Sequence, residues 1–167
     1  MILVSDTSVL IDLERGDLLE AIFALPDEFA VPDVLYDREM QGEFGERMVG
    51  LGLRVEEVSE AGVATALRYR QQRVSLSVPD SFALALAKER KWLLLTGDGQ
   101  LRELADGENV ECHGVLWLLD IMEEAGIPGI QRLHDGLTSL AVHPRCRLPR
   151  HEITIRLERY RVTIETL

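Results

Sequence analysis

Two spacings of apolar residues alternate along this chain. Short continuous runs, Ile2-Leu3-Val4, Phe29-Ala30-Val31 and Trp92-Leu93-Leu94-Leu95, have the pattern of parallel strands buried on both faces. Between them, apolar positions recur at helical spacing. The first strand ends at Asp6, and a helix starting near Ser8 uses Val9, Leu10 and Leu13 before Gly16 stops it. A second helix is expected from Asp17 to Leu25, closed by Pro26. After the Phe29 strand, Pro32 opens a helix carrying Val34, Leu35, Asp37, Glu39 and Met40, and residues 43–51 continue as helix. Leu53 to Val58 alternates imperfectly, as a sheet-edge strand does, and Ser59 caps a helix running through Arg73.

The central stretch is SVPDSFALALAKERKWLLLTGDGQ, residues 77–100. Pro79 suits a first helical turn, Asp80 sits at the positively polarised helix N-terminus, and Lys88-Glu89-Arg90-Lys91 ends the helix in charge. The Leu-rich strand that follows stops at Thr96-Gly97-Asp98. Further on, the pattern predicts a short helix over 100–105, a final strand over 109–112, and a Leu-rich amphipathic helix over 114–125 with Trp117 buried. Another helix is expected over 130–140. In the tail, Ile153, Leu157, Tyr160, Ile164 and Leu167 form a helical stripe, while Ile153 to Leu157 also alternates like a strand; the helix is the favoured expectation. Strands and helices in alternation imply an α/β fold with a parallel sheet covered by helices on both faces.

Composition narrows this reading. A length of 167 residues fits one domain with a core that needs no disulfides, and two cysteines, Cys112 and Cys146, are too few for a disulfide framework. No apolar run reaches the length of a membrane span, and the N-terminus lacks the basic end of a signal peptide, so a cytoplasmic protein is expected. The net charge of -11 argues against broad affinity for nucleic acid but not against a nuclease whose site is itself acidic. Charge is uneven: residues 143–167 sum to +3 and the rest to -14. That arginine-rich tail reads either as a contact for RNA or a partner, or as an amphipathic helix docked by its apolar stripe.

Several carboxylates occupy places where α/β folds build sites. Asp6 and Asp98 both follow strand ends, where ligands bind in open parallel sheets, and helices deliver Asp80 and one of Asp37 or Glu39. Each also has an ordinary structural reading, since Asp caps helices and Asp-Gly makes turns. Together, acids without histidine or cysteine form an oxygen-only set suited to Mg²⁺ or Mn²⁺, and cations so held promote phosphodiester hydrolysis. A zinc set from Cys112-His113, His143 and Cys146 matches no familiar spacing.

DTSVLIDL, VPDVLYDREM and PDSFALALAKERKWLLLTGDGQLRELA, in that order, resemble the PIN domain, the ribonuclease fold of VapC-type toxins, over roughly residues 1–125. The resemblance implies a single three-layer α/β/α domain with a five-stranded parallel sheet; the domain is expected over residues 1–142, with the basic residues 143–167 as a helical extension packed on or next to it. It assigns the first, third and fourth acids to Asp6, Asp80 and Asp98, which would hold the metal. The second acid is Glu39, matched with Met40, or by a shift of register Asp37. Thr7, Ser8 and Thr96 match hydroxyls that support the site. Gln100 departs from relatives that carry an acid or Asn there, which weakens the expectation of a second metal.

The implied activity is Mg²⁺- or Mn²⁺-dependent endoribonuclease, as the toxin of a toxin–antitoxin pair, with RNA as substrate, a small antitoxin protein as partner, no membrane and a homodimer left open. The alternatives are a PIN-like module that binds RNA or protein without turnover, and a housekeeping ribonuclease outside any such pair.

Overall fold

The buried apolar runs become the strands of one sheet. The computed structural model describes all 167 residues. Strands β1 (Ile2–Ser5), β2 (Glu28–Pro32), β3 (Arg54–Glu56), β4 (Leu93–Leu95) and β5 (Cys112–His113) are all parallel, in the order β3-β2-β1-β4-β5. The expected α/β fold with a five-stranded parallel sheet is therefore present. Its helices are α1 (Thr7–Arg15), α2 (Asp33–Leu35), α3 (Glu43–Leu51), α4 (Glu60–Gln72), α5 (Val78–Arg90), α6 (Gly99–Gly107), α7 (Val115–Ala125), α8 (Ile130–Val142) and α9 (Arg150–Glu165). None is long and apolar enough to cross a membrane.

Two compact units divide the chain. The first comprises residues 1–9 and 26–114 and contains the sheet. Leu3 on central β1 lies opposite Phe29 of β2 and Leu93 of β4. Helix α5 packs on β1, β2 and β4, and every residue from Ser81 to Ala87 is buried. Helix α4 packs along it as well, so over these residues the helix is covered on both sides and shows no polar face. Ser59 caps α4 by accepting the Gly62 N–H at 3.1 Å, as its sequence position predicts.

Strand order locates the site before any side chain is considered. The chain leaves β1 for β2 and β3 on one side, then returns to β4 on the other, so the topological switch point lies between the carboxyl ends of β1 and β4. Asp6 and Thr96-Gly97-Asp98 follow those two ends.

The second unit comprises residues 10–25 and 115–167. Here Gly136 of α8 comes so close to the Gly16 carbonyl that a Cβ would stand 2.7 Å from its oxygen. The tail is the helix α9, with Ile153 and Tyr160 buried and Ile155 exposed, which fits the helical stripe and not the alternation. Its arginines turn to α7: Arg156 makes a two-pronged contact with Asp120 at 2.9 and 2.6 Å, and Arg159 reaches Asp120 at 2.9 Å. Arg161 pairs with Glu158 and Glu165 of its own helix.

Four local expectations need correction. The helix expected over 17–25 is a 3₁₀ segment, Glu20–Ala24, because Asp17 turns the chain into the left-handed region (φ 54°) and Pro26 leaves too little length for an α-helix. The helix after Pro32 is one turn, α2, continued by a π-helical segment over Tyr36–Met40. The last strand is shifted to Cys112–His113, since Asn109 adopts φ 58° and the Val110 N–H bonds back to Ala105 at 2.8 Å, closing α6. Trp117 is half-buried rather than buried, as befits the bulkiest side chain on a helix face.

Candidate active site

At the switch point the two strand ends are tied together through hydroxyls. The Asp6 N–H donates to the Leu95 carbonyl at 3.0 Å, drawing the chain past β1 toward β4. Asp6 Oδ1 accepts the Ser8 hydroxyl at 2.8 Å and the Val9 N–H at 3.0 Å, so the side chain caps α1; its Oδ2 accepts the Thr96 hydroxyl. Thr96 in turn accepts the Asp98 N–H at 3.0 Å, and Ser8 accepts the Gly97 N–H at 3.2 Å. Asp98 Oδ1 caps α6 through the Leu101 N–H at 2.9 Å. Capping and clustering thus coexist in the same residues, each Asp using one oxygen as a helix cap.

The other two acids come from helices. Ser77 caps α5 by accepting the Asp80 N–H at 3.2 Å, which holds Asp80 in the first turn. The π-helical segment carries Glu39, which accepts the Thr7 hydroxyl. Gly45 allows this geometry, because a Cβ there would lie 2.2 Å from the Met40 carbonyl oxygen and 2.9 Å from the Tyr36 ring. Asp37 is exposed and is not among the groups that shift Asp80.

Electrostatics show that the four acids share one field. Asp6, 1% exposed, has its carboxyl raised above the usual range by burial, with Asp98 adding to the rise; hydrogen bonds from Thr96, Val9 and Ser8 pull the other way. Asp80 is pushed up to about 6, first by burial and then by Asp6, with smaller contributions from Asp98 and Glu39, against a lowering from Ser77. No cationic side chain is among the groups acting on either residue. No group of three or more His, Cys, Asp or Glu side chains stands at ligating distance, so the acids form an electrostatic cluster whose members are held apart. The Cys112-His113 and His143–Cys146 pairs form no such group either.

Two supports escape sequence reading of the site. Ser77 was legible as a cap type three residues before Asp80; Gly45 carries no local signal, since its role depends on Tyr36 and Met40 folding over it.

A family model described as a PIN domain, DUF3368, matches residues 2–161. No curated protein matches the chain. A solved toxin–antitoxin complex from Klebsiella pneumoniae is similar at 26% identity, covering 57% of this chain and 85% of that one, with a TM-score of 0.45. A PilT N-terminus domain protein from the archaeon Sulfolobus solfataricus P2 is similar at 16% identity, covering 72% and 92%, also with a TM-score of 0.45.

Proposed function

Because the chain belongs to the PIN-domain family DUF3368, we propose that it is a Mg²⁺- or Mn²⁺-dependent endoribonuclease acting in the cytoplasm as the toxin of a toxin–antitoxin pair. The observation that carries this reading is the field at Asp80: a carboxyl group raised to about 6 by burial and three neighbouring acids, with no protein cation to offset them. Like charges gathered this way disfavour the ionised state until a cation arrives.

The chemistry of the donors suits such a cation, although the carboxylates stand apart and would have to draw together to ligate it. Asp6, Asp80 and Asp98 would hold it, all through oxygen, as hard divalent ions require. When bound, it would neutralise charge on the attacked phosphodiester and activate a water as nucleophile. The chain's own groups do the positioning. Thr96 and Ser8 orient the Asp6 carboxylate, Thr7 holds Glu39, and the Ser77 cap fixes Asp80. Glu39, exposed and holding the Thr7 hydroxyl, would take a proton from water. An antitoxin would suit this site if it inserted a basic side chain in place of the cation.

The test is cleavage of a mixed RNA substrate by the full chain with Mg²⁺, with Mn²⁺ and with EDTA, beside Asp6→Asn and Asp80→Asn. The reading expects cleavage that requires a cation and is lost in both variants. RNA bound but left intact under every cation would overturn it in favour of a binding module without turnover.

A further inference from the structure

In the unit that contains the sheet, Arg54, Arg68, Arg73 and Arg90 are each paired with a carboxylate. Arg102 of α6 is not. Its guanidinium donates instead to the Thr96 carbonyl at 3.2 Å, at the carboxyl end of β4. The acids nearest to it in sequence do not take its charge. Glu103 pairs with Arg73 at 3.3 Å, while Asp98 and Asp106, one helical turn before and one after, make no ion pair with it.

Thr96 relates this guanidinium to the acidic cluster. Its hydroxyl donates to the Asp6 carboxylate, whereas its carbonyl faces the end of β5: a Cβ on Gly114 would stand 3.5 Å from the Thr96 oxygen and 3.3 Å from Arg102 Nη2. Gly114 thus leaves the room that the guanidinium occupies. A single residue therefore separates the two charges, with the Asp6 carboxylate on its hydroxyl and the guanidinium on its carbonyl. The Cys112 thiol, pushed up to about 11 by burial, is acted on by Arg102 in one direction and by Asp6 and Asp106 in the other, so guanidinium and acids share one electrostatic neighbourhood.

We propose, resting on the nuclease reading above, that Arg102 anchors the RNA substrate by gripping a phosphate beside the one held at the acids. A guanidinium stays charged and carries five N–H donors in a planar fork; with one donor on Thr96, the rest of the fork is available to phosphate oxygens. The carbonyl contact holds the fork in place, so less side-chain freedom is lost when the strand arrives. Such an anchor answers a difficulty peculiar to this chain. A protein of net charge -11 whose site is itself acidic gains little from diffuse attraction to a polyanion, and a placed cation does what the overall charge does not. A contact of this kind reads no base; it fixes the position and direction of the strand, here across the sheet edge from the acids toward β5.

The experiment reads binding and cleavage separately in the full chain. A fluorescent single-stranded RNA is titrated by anisotropy over a range of KCl in Ca²⁺, a hard cation suited to oxygen ligands, and the RNA is checked on a gel to be intact. Arg102→Gln should weaken binding about tenfold and make the dependence of log K on log salt shallower by about 0.7, the value for one phosphate contact on a single strand. Arg102→Lys should keep the slope and recover part of the affinity, because it keeps the charge without the fork. Arg161→Gln, which removes the same charge from a surface arginine paired within its own helix, should change neither. In Mn²⁺, Arg102→Gln should raise KM for cleavage about tenfold with kcat within about threefold, and the Mn²⁺-induced rise in melting temperature should be undiminished. An unchanged salt slope in Arg102→Gln, an equal loss in Arg161→Gln, a fall in kcat or in the Mn²⁺-induced rise instead of a rise in KM, or no binding of RNA by the wild type would overturn the proposal. A wild type that binds RNA with this slope pattern yet cuts nothing in Mn²⁺ would sink the nuclease reading alone and leave Arg102 as the anchor of a binding module.

Discussion

The Thr96 hydroxyl at the end of β4 donates to the Asp6 carboxylate at the end of β1, and the same oxygen accepts the Asp98 N–H at 3.0 Å. One fully buried threonine therefore serves two of the four acids at the switch point. Thr96→Val keeps the shape and removes both bonds. It leaves a buried carboxylate short of a donor, so a loss of roughly 1–3 kcal/mol in stability is expected. Thr96→Ser should retain most of it. Urea unfolding of the three proteins measures this, and a valine variant as stable as wild type would show that the Asp6–Thr96 bond contributes nothing.

Asp80 gives the metal-free protein a distinctive pH dependence. Its folded-state pKa of about 6 lies above the 3.8 of an unperturbed Asp, so between those values the folded state binds more protons than the unfolded one. Stability from this group is full below about pH 4, falls as pH rises toward 6, and is flat above. Asp80→Asn should remove that slope, visible as a difference between the two proteins' melting temperatures across pH 4–7 in EDTA. Cation binding should strengthen over the same interval as Asp80 ionises. Parallel pH profiles for wild type and variant would contradict the assignment.

The strand-end acids could be read from the chain because their structural causes are local. A short apolar run followed by Asp6-Thr7-Ser8, or by Thr96-Gly97-Asp98-Gly99, specifies strand, turn and helix cap within a few residues. The choice between Asp37 and Glu39 is not local. It depends on the wider turn of a π-helix, and that on Gly45 fitting beneath Met40 and Tyr36. The tail shows the same limit. Its apolar stripe gave away the helix, yet the fate of its arginines depended on Asp120 and Glu123, 36 residues earlier in α7. Likewise the last strand moved because Asn109 takes a left-handed turn that no periodicity encodes.

The geometry around Thr7 separates the two candidate second acids. Glu39→Gln should reduce RNA cleavage by about 10²-fold or more, the range for loss of a proton-transfer group. Asp37→Asn should leave cleavage within about twofold, since surface changes away from such features are nearly neutral. Single-turnover cleavage by both variants at saturating Mn²⁺ is the measurement. Equal losses would mean that the π-helical segment shifts register in the active protein.

Pairing with α7 predicts what the tail arginines do. Arg156 has a side chain only 12% exposed and grips Asp120 with two bonds, so Arg156→Gln should destabilise the protein by about 1–3 kcal/mol. Replacing Arg156, Arg159 and Arg161 together by Gln should leave the salt dependence of RNA binding unchanged, because these charges are already matched by acids. A shallower salt slope in the triple variant would instead place the tail against RNA.

Asp98 allows scaffold and charge to be separated within one residue. Its Oδ1 accepts the Leu101 N–H, a role that an Asn oxygen fills equally, while its charge raises both Asp6 and Asp80. Asp98→Asn should therefore keep the α6 cap and relieve repulsion. The metal-free protein should be as stable as wild type or more so, by at most about 1 kcal/mol given solvent screening. Asp98→Ala removes the cap as well and should cost about 1 kcal/mol relative to Asn. With Mn²⁺ the order changes. A cation that binds only the folded state raises the melting temperature by an amount that grows with the logarithm of its affinity, so wild type should gain most and both variants less. RNA cleavage should fall along with that gain. Thermal unfolding of the three proteins with and without Mn²⁺, beside the cleavage assay, tests all of this at once. An Asn variant that keeps the full Mn²⁺-induced rise and still cuts RNA would reduce Asp98 to the cap of α6 and remove it from the metal site.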